Sequence, residues 1–287
     1  MQSPIDHVNI IGSNVLIKKL RKYPVLHTNT SPLDRLLSPT FNSRQKENEG
    51  RDGGILPGVL HVISGPQKHL TRLLMRIAVM AQLPLVDGGV SASRVFFSEL
   101  NNYFDPYYVT RFAMQQSLTP SNVLEHIDIA RGFNWDQSVE IISRLLPKKV
   151  ERCKSAVVLI NGLTSWFEPS DLTCYQGLKQ MIDGLKRCNY KKNVYMVATA
   201  PTAEGSRFKP RGGTNLSHYA GCIISVSQPR VTRSGSKITT WHLSQHPLYP
   251  PRSLKCWDHS GNTKRKRRRR KMVSDGISTF RTLEDFM

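Results

Sequence analysis

Apolar positions along the chain keep two rhythms. Leu60-His-Val-Ile-Ser64 is a short apolar run after Gly58 and before Gly65-Pro66, which predicts a buried strand. Leu70 to Leu83 then places apolar residues at 70, 73, 74, 77, 78, 80 and 81, the period of a helix. The same exchange repeats downstream. Arg94–Ser98 reads as a strand and Pro106–Leu118 as a helix. Thr119-Pro-Ser121 reads as a turn, His126–Ala130 as a strand, and the region near 136–152 as a helix. Ala156-Val-Val-Leu-Ile160 is the strongest strand, apolar throughout and rich in β-branched residues. A helix over 171–188, a strand over 194–199 and a loop from Ala200 to Gly213 follow. Two further strands, Cys222–Val226 and Lys237–Leu243, flank a turn at Ser234-Gly235-Ser236.

Continuous apolar strands alternating with helices predict an α/β fold, a mostly parallel twisted sheet with helices on both faces. In such sheets ligands sit beyond the carboxyl ends of the strands. Those ends are Ser64–Thr71, Ser98–Asn102, Asn161–Thr164 and Thr199–Gly213. Residues 1–25 read as a short helix or arm with a basic middle, and Asn42–Asp52 as a polar loop. From Asp258 onward the pattern is that of an unfolded basic linker with a short apolar end.

Charge narrows the function. The chain has 287 residues, 41 Lys+Arg against 21 Asp+Glu, and a net charge of +20. Eight consecutive cations, Lys264, Arg265, Lys266, Arg267, Arg268, Arg269, Arg270 and Lys271, supply part of it, and without them +12 remains. A surplus that survives loss of the block points to a polyanion, most simply DNA. No stretch nears the ~18 apolar residues of a membrane span, and no secretory leader is expected. An intracellular setting follows, cytoplasm or nucleoid in an archaeon and nucleus in a eukaryote. Five scattered cysteines without a CxxC indicate neither a disulfide framework nor a zinc site. The nine histidines show no metal spacing, so His61 and His126 read as strand residues and no metal is assigned.

Several segments, in order, resemble the RecA/RadA recombinase family, and archaeal RadA in particular. They are Thr30-Ser-Pro-Leu-Asp-Arg-Leu-Leu37, Gly53-Gly-Ile-Leu-Pro-Gly58, Ala78-Val-Met-Ala-Gln-Leu-Pro84, Val123 to Asn134, Ile160-Asn-Gly-Leu-Thr-Ser-Trp-Phe167, and Pro210-Arg-Gly-Gly213 with His218. The resemblance implies a RecA-like core over 28–257, with residues 1–27 as an N-terminal arm and 258–287 as a disordered basic linker carrying a short C-terminal peptide. The departures fall on the nucleotide site. A phosphate loop needs G-x-x-x-x-G-K-[ST], so that backbone N–H groups cradle phosphates, Lys neutralises them and the hydroxyl holds Mg²⁺. Here Gly65 is followed by Pro-Gln-Lys68-His-Leu-Thr71. Counting back from Ala78, Thr71 keeps the hydroxyl position, Leu70 replaces the Lys and His69 the Gly. Asn161 stands where an Asp should steady Mg²⁺, an amide in place of the charge a divalent cation requires. Glu99 lies near the place of the general base, and Asp105 where the family has an adenine-stacking Arg. The expectation is a pseudo-ATPase with no cofactor. Weak ATP or Mg²⁺ binding through Gly65, Lys68, Thr71, Glu99 and Asn161 is the residual alternative.

Other features suit binding. In the loop Thr199–Gly213, Arg207, Phe208, Lys209 and Arg211 combine cations with an aromatic that can stack on an unpaired base. The resemblance implies that this loop contacts single-stranded DNA. The segment matching the first DNA loop, Ser170–Gly177, has no Lys or Arg. Lys264–Lys271 is a tail for a polyanion or a nuclear address. Leu283, Phe286 and Met287, at helical-turn spacing, resemble the peptide that repair proteins insert into a sliding clamp. The accessory N-terminal domain and the Phe-x-x-Ala docking peptide of the family are not found, which favours a heteromer with an active RadA-like recombinase over a filament. The expectation is thus a non-catalytic recombinase paralogue that binds DNA and assists or regulates homologous recombination and repair. The alternatives are a divergent DNA-dependent ATPase using Lys68, Thr71 and Glu99, and a structural partner subunit that does not bind DNA.

Overall fold

The computed structural model describes residues 23–41, 53–153, 155–190, 194–232 and 236–258. They form one nine-stranded sheet with helices on both faces. In chain order the elements are α1 (Ser31–Leu36), β1 (Leu60–Ser64), α2 (Gln67–Met80), β2 (Arg94–Glu99), α3 (Pro106–Gln115), α4 (Pro120–Glu125), β3 (Ile127–Arg131), α5 (Trp135–Glu140), α6 (Leu146–Glu151), β4 (Ala156–Asn161), α7 (Leu172–Tyr190), β5 (Tyr195–Ala200), α8 (Gly213–Tyr219), β6 (Cys222–Val226), β7 (Arg230–Val231), β8 (Lys237–Gln245) and β9 (Arg252–Asp258). A single 3₁₀ turn, Leu85–Asp87, precedes β2, and a π-turn, Ile141–Leu145, joins α5 to α6.

The sheet runs β3-β2-β4-β5-β1-β6 with every pair parallel, then turns antiparallel at β8. β7 and β9 flank β8 on its two sides. β1, β4, β5 and β6 are buried at every position, as their unbroken apolar runs require. Alternation sends Ile63, Val95, Phe97, Val157, Leu159 and Val197 into the layer beneath α2 and α3. Leu60, Val62, Phe96, Val158, Ile160 and Met196 enter the layer beneath α7. The expected α/β architecture is present.

Local expectations shift in several places. α2 begins at Gln67 instead of Leu70, because Pro66 holds φ −62° at its N-cap and the polar Gln67-Lys68-His69 take the first turn. Thr119-Pro120 opens the short helix α4, with Pro in its first turn, where a turn was expected. The helix expected near 136–152 is broken by the π-turn. Pro147 lacks the N–H that the Ser143 carbonyl would receive, and the Arg187 guanidinium donates to that carbonyl from α7. β9 and the two-residue β7 were not anticipated. Leu26, fully buried and bridged to Ile55, joins the core although it falls in the expected arm.

Candidate functional site

β2, β4 and β5 are neighbours in the sheet, and Glu99, Asn161 and Thr199 meet at their carboxyl ends. Asn161 closes β4 and is fully buried. Its Nδ2 donates to both carboxylate oxygens of Glu99, at 2.9 and 3.0 Å. Its Oδ1 accepts from Gln67 Nε2 at 3.0 Å, from Thr71 Oγ1 at 3.1 Å and from Thr199 Oγ1 at 3.1 Å. Glu99 Oε1 also accepts the Asn101 backbone N–H at 2.9 Å. Three neighbouring strand ends, those of β2, β4 and β5, and the start of α2 are thereby tied through one amide.

The structure brings Glu99, Thr71 and Asn161 together. Gln67 and Thr199 complete the cluster and were missed. They lie 94 and 38 residues from Asn161, a proximity that only the sheet order creates. Gly65 and Lys68 stay outside the hydrogen-bonded group. Gly65 has φ +150°, and a Cβ there would stand 2.5 Å from the Val226 carbonyl oxygen, so glycine is required by the backbone and by β6. Lys68 is exposed on the first turn of α2. Only Gly65 and Pro66 separate β1 from α2. Thr71 consequently sits one turn inside the helix, where its Oγ1 also bonds the Gln67 carbonyl at 3.1 Å. Leu70 is fully buried in the core. His69 stands edge-on to Trp241, with ring centroids 5.8 Å apart. Desolvation, then Arg76 and Arg72, lower its imidazole from the usual range.

Beside this cluster the segment after β5 forms a tight hairpin instead of an open loop. Thr202 and Pro210 bridge antiparallel, and the Ala203 N–H bonds the Lys209 carbonyl at 2.9 Å. Ser206 Oγ accepts the N–H groups of Phe208 and Lys209. Gly205 turns the tip at φ +69° with nothing within 4 Å. Arg207, Phe208 and Lys209 are exposed. Arg211 is more withdrawn: it lies 3.8 Å from Glu204, and its carbonyl accepts from Thr164 Oγ1. The Phe208 ring meets His242 at 4.5 Å, with the Arg207 guanidinium 5.8 Å from its centroid. Burial lowers His242, whose Nδ1 pairs with Ser253 Oγ at 2.7 Å.

A cleft of about 740 Å³ opens between this hairpin and β6–β9. Gln67, Arg207, Phe208, Gln228, Arg230 and Lys255 are among the residues that line it. Arg230 and Lys255 were not singled out by sequence, since each is an isolated cation until β7 and β9 fold against β8. The cleft can accept phosphates at its cations and a planar ring at Phe208. The segment Ser170–Gly177 runs into α7 and adds no cation. Lys264–Lys271, Leu283, Phe286 and Met287 lie outside the described residues.

At the far edge of the sheet β3 pairs only with β2 among the described strands. Beside it runs a groove of about 390 Å³, with Ile129, Leu145 and Leu146 in its lining and Lys148, Lys149 and Arg152 at its side. Ile129 is 41% exposed on this unpaired edge. Among the described residues no helix is long and apolar enough to cross a membrane.

A family model described as Rad51 matches residues 48–240. The DNA repair protein RAD51 homolog B of Zea mays is 24% identical to this chain, over 62% of this chain and 57% of the maize protein. RAD51 homolog 1 of Arabidopsis thaliana is 21% identical over 65% and 59% of the two chains. The DNA repair protein RAD51 of Mycosarcoma maydis is 25% identical over 56% and 51%. The chain thus spans somewhat more than half the length of these relatives. Its parallel sheet, its strand-end cluster and the family match over residues 48–240 agree, and the chain belongs to the Rad51 family of RecA/RadA recombinases.

Proposed function

We infer that this chain is a non-catalytic Rad51-family paralogue that holds single-stranded DNA and assists or regulates an active recombinase in homologous recombination. The closed cluster around Asn161 carries the reading. Its one oxygen is already shared by three donors, and an amide has no charge to hold a divalent cation. The link of Gly65 and Pro66 supplies one backbone N–H where a phosphate cradle needs several, because proline has none. The full chain with ATP, Mg²⁺ and single-stranded DNA is expected to release no phosphate above background. Turnover that disappears in Lys68→Ala and in Glu99→Ala overturns the reading in favour of a divergent ATPase.

The hairpin and the cleft support DNA as the ligand. Cations release counterions from the backbone, and Phe208 offers a stacking face of the kind worth ~1–3 kcal/mol per base. Phe208→Ala is therefore expected to weaken binding about 5- to 150-fold in fluorescence anisotropy at fixed salt. No affinity at low salt would leave the structural-subunit reading. The cations of 264–271 would add sequence-independent attraction, and Leu283, Phe286 and Met287 a contact with a sliding clamp.

The β3 edge supports an active recombinase as the protein partner. An unpaired strand beside an apolar groove accepts an extended peptide by strand addition, with an apolar side chain in the groove. The Phe-x-x-Ala segment that the resemblance implies for a recombinase has that form. Ile129→Asp is expected to abolish co-elution with the host recombinase while leaving DNA binding intact.

A further inference from the structure

Away from the strand-end site, toward the amino ends of β1 and β6, three side chains of matched chemistry converge. His61 is the second residue of β1, Cys222 opens β6, and His246 directly follows β8. β1 and β6 pair in parallel with His61 beside Cys222, so both side chains leave the same face of the sheet. One ligand-type atom from each of the three residues lies within 4.8 Å of the other two. His61 and Cys222 are both 0% exposed.

Polar atoms buried this close normally hydrogen-bond to each other. Here His246 Nε2 is buried without a partner. His246 Nδ1 accepts the Leu248 N–H at 3.1 Å, which leaves the ring proton on Nε2 with nothing to receive it. His61 Nδ1 lies 3.0 Å from the Val59 carbonyl and donates to it, so its Nε2 is unprotonated. That nitrogen meets the Leu56 N–H at a long 3.4 Å, and the Met196 backbone also faces the ring. Among the described residues, Arg252 is the cation facing Cys222 and His246. Its guanidinium is committed to the Leu36 and Ser38 carbonyls at 2.7 and 2.8 Å, and stacks on Tyr249.

We propose that His61, Cys222 and His246 form a zinc site that staples β1, β6 and the segment after β8, with water as the fourth ligand. Two imidazoles and a thiolate suit a borderline-soft d¹⁰ cation, and their convergence within 4.8 Å suits a shared ion. On loading, zinc(II) bonds to the Cys222 sulfur and the thiol proton leaves to solvent. The His246 proton passes from Nε2 to Nδ1, and the Leu248 N–H releases that nitrogen. The site stands independently of the DNA and recombinase readings, since none of its residues lines the cleft or the β3 groove.

The test uses the untagged full chain purified from zinc-supplemented cells. Elemental analysis is expected to find about one zinc per chain. After chelation, titrated cobalt(II) is expected to give a near-ultraviolet thiolate-to-metal absorption that Cys153→Ser keeps and Cys222→Ser loses. His246→Ala, at a half-buried position, weakens cobalt binding at least about tenfold and carries the test if Cys222→Ser does not fold. Purified chain without zinc and without the charge-transfer band overturns the proposal. Metal whose binding is unchanged in both Cys222→Ser and His246→Ala overturns it equally.

Discussion

Asn161 accepts through one oxygen from three donors while giving both of its N–H bonds to one carboxylate, so its identity as an amide is demanded by its neighbours. Asn161→Asp would set a second carboxylate against Glu99, which is 1% exposed. The pair cannot both ionise cheaply, and a loss of about 3 kcal/mol is expected in urea unfolding at neutral pH. The deficit should shrink as pH falls and one of the two carboxyls takes up a proton. Asp34 gives a second residue-level expectation. Burial outweighs its bonds from Thr28 and Thr30 and pushes it up from 3.8 to about 6. The folded state then holds a proton that the unfolded state has released, so this group's contribution to stability is lost as pH rises from 3.8 toward about 6. Asp34→Asn should flatten that part of the stability profile relative to the parent chain. At this scale the sequence showed Glu99, Thr71 and Asn161, because strand ends in parallel sheets are where ligands gather. It could not show Gln67, Thr199 or the convergence of His61, Cys222 and His246, since no spacing rule spans 94 or 161 residues.

Elements were legible where one residue pattern allowed one conformation. β4 and β5 are apolar almost throughout and appear within a residue of their expected bounds. β9 was hidden because Arg252-Ser-Leu-Lys-Cys-Trp-Asp258 mixes charges with apolar residues, and Leu254 is the residue of this strand that reaches the core. The π-turn was hidden because a proline in a helical pattern announces a disturbance without its form. That turn has a packing consequence. Gly184 of α7 lies so close that a Cβ there would stand 2.4 Å from the Ile142 carbonyl oxygen. Both sides of this contact are backbone, so neither can rotate away. Gly184→Ala is expected to cost about 1–3 kcal/mol, read as a lower thermal midpoint with the single transition kept.

For the whole molecule, charge and topology divide the work. The sheet places Arg207, Arg230 and Lys255 around one cleft, whereas eight cations of the +20 surplus sit together at 264–271. Single-strand affinity measured against salt separates the two. A full chain with glutamine at all eight tail positions should show a slope shallower by up to about 6, at ~0.7 per cation lost. The slope that remains should fall further when Arg230 and Lys255 are also replaced. The two-residue junction of Gly65 and Pro66 has a different kind of consequence. Ser64 to Thr71 has the eight residues that the phosphate-loop motif needs, but from Gln67 onward they are wound into α2. Putting Lys at the buried position 70 and Asp at 161 leaves that junction as short as before, so the double variant should gain no grip on a triphosphate. Regaining a phosphate grip therefore means unwinding the first turn of α2 as well as exchanging side chains.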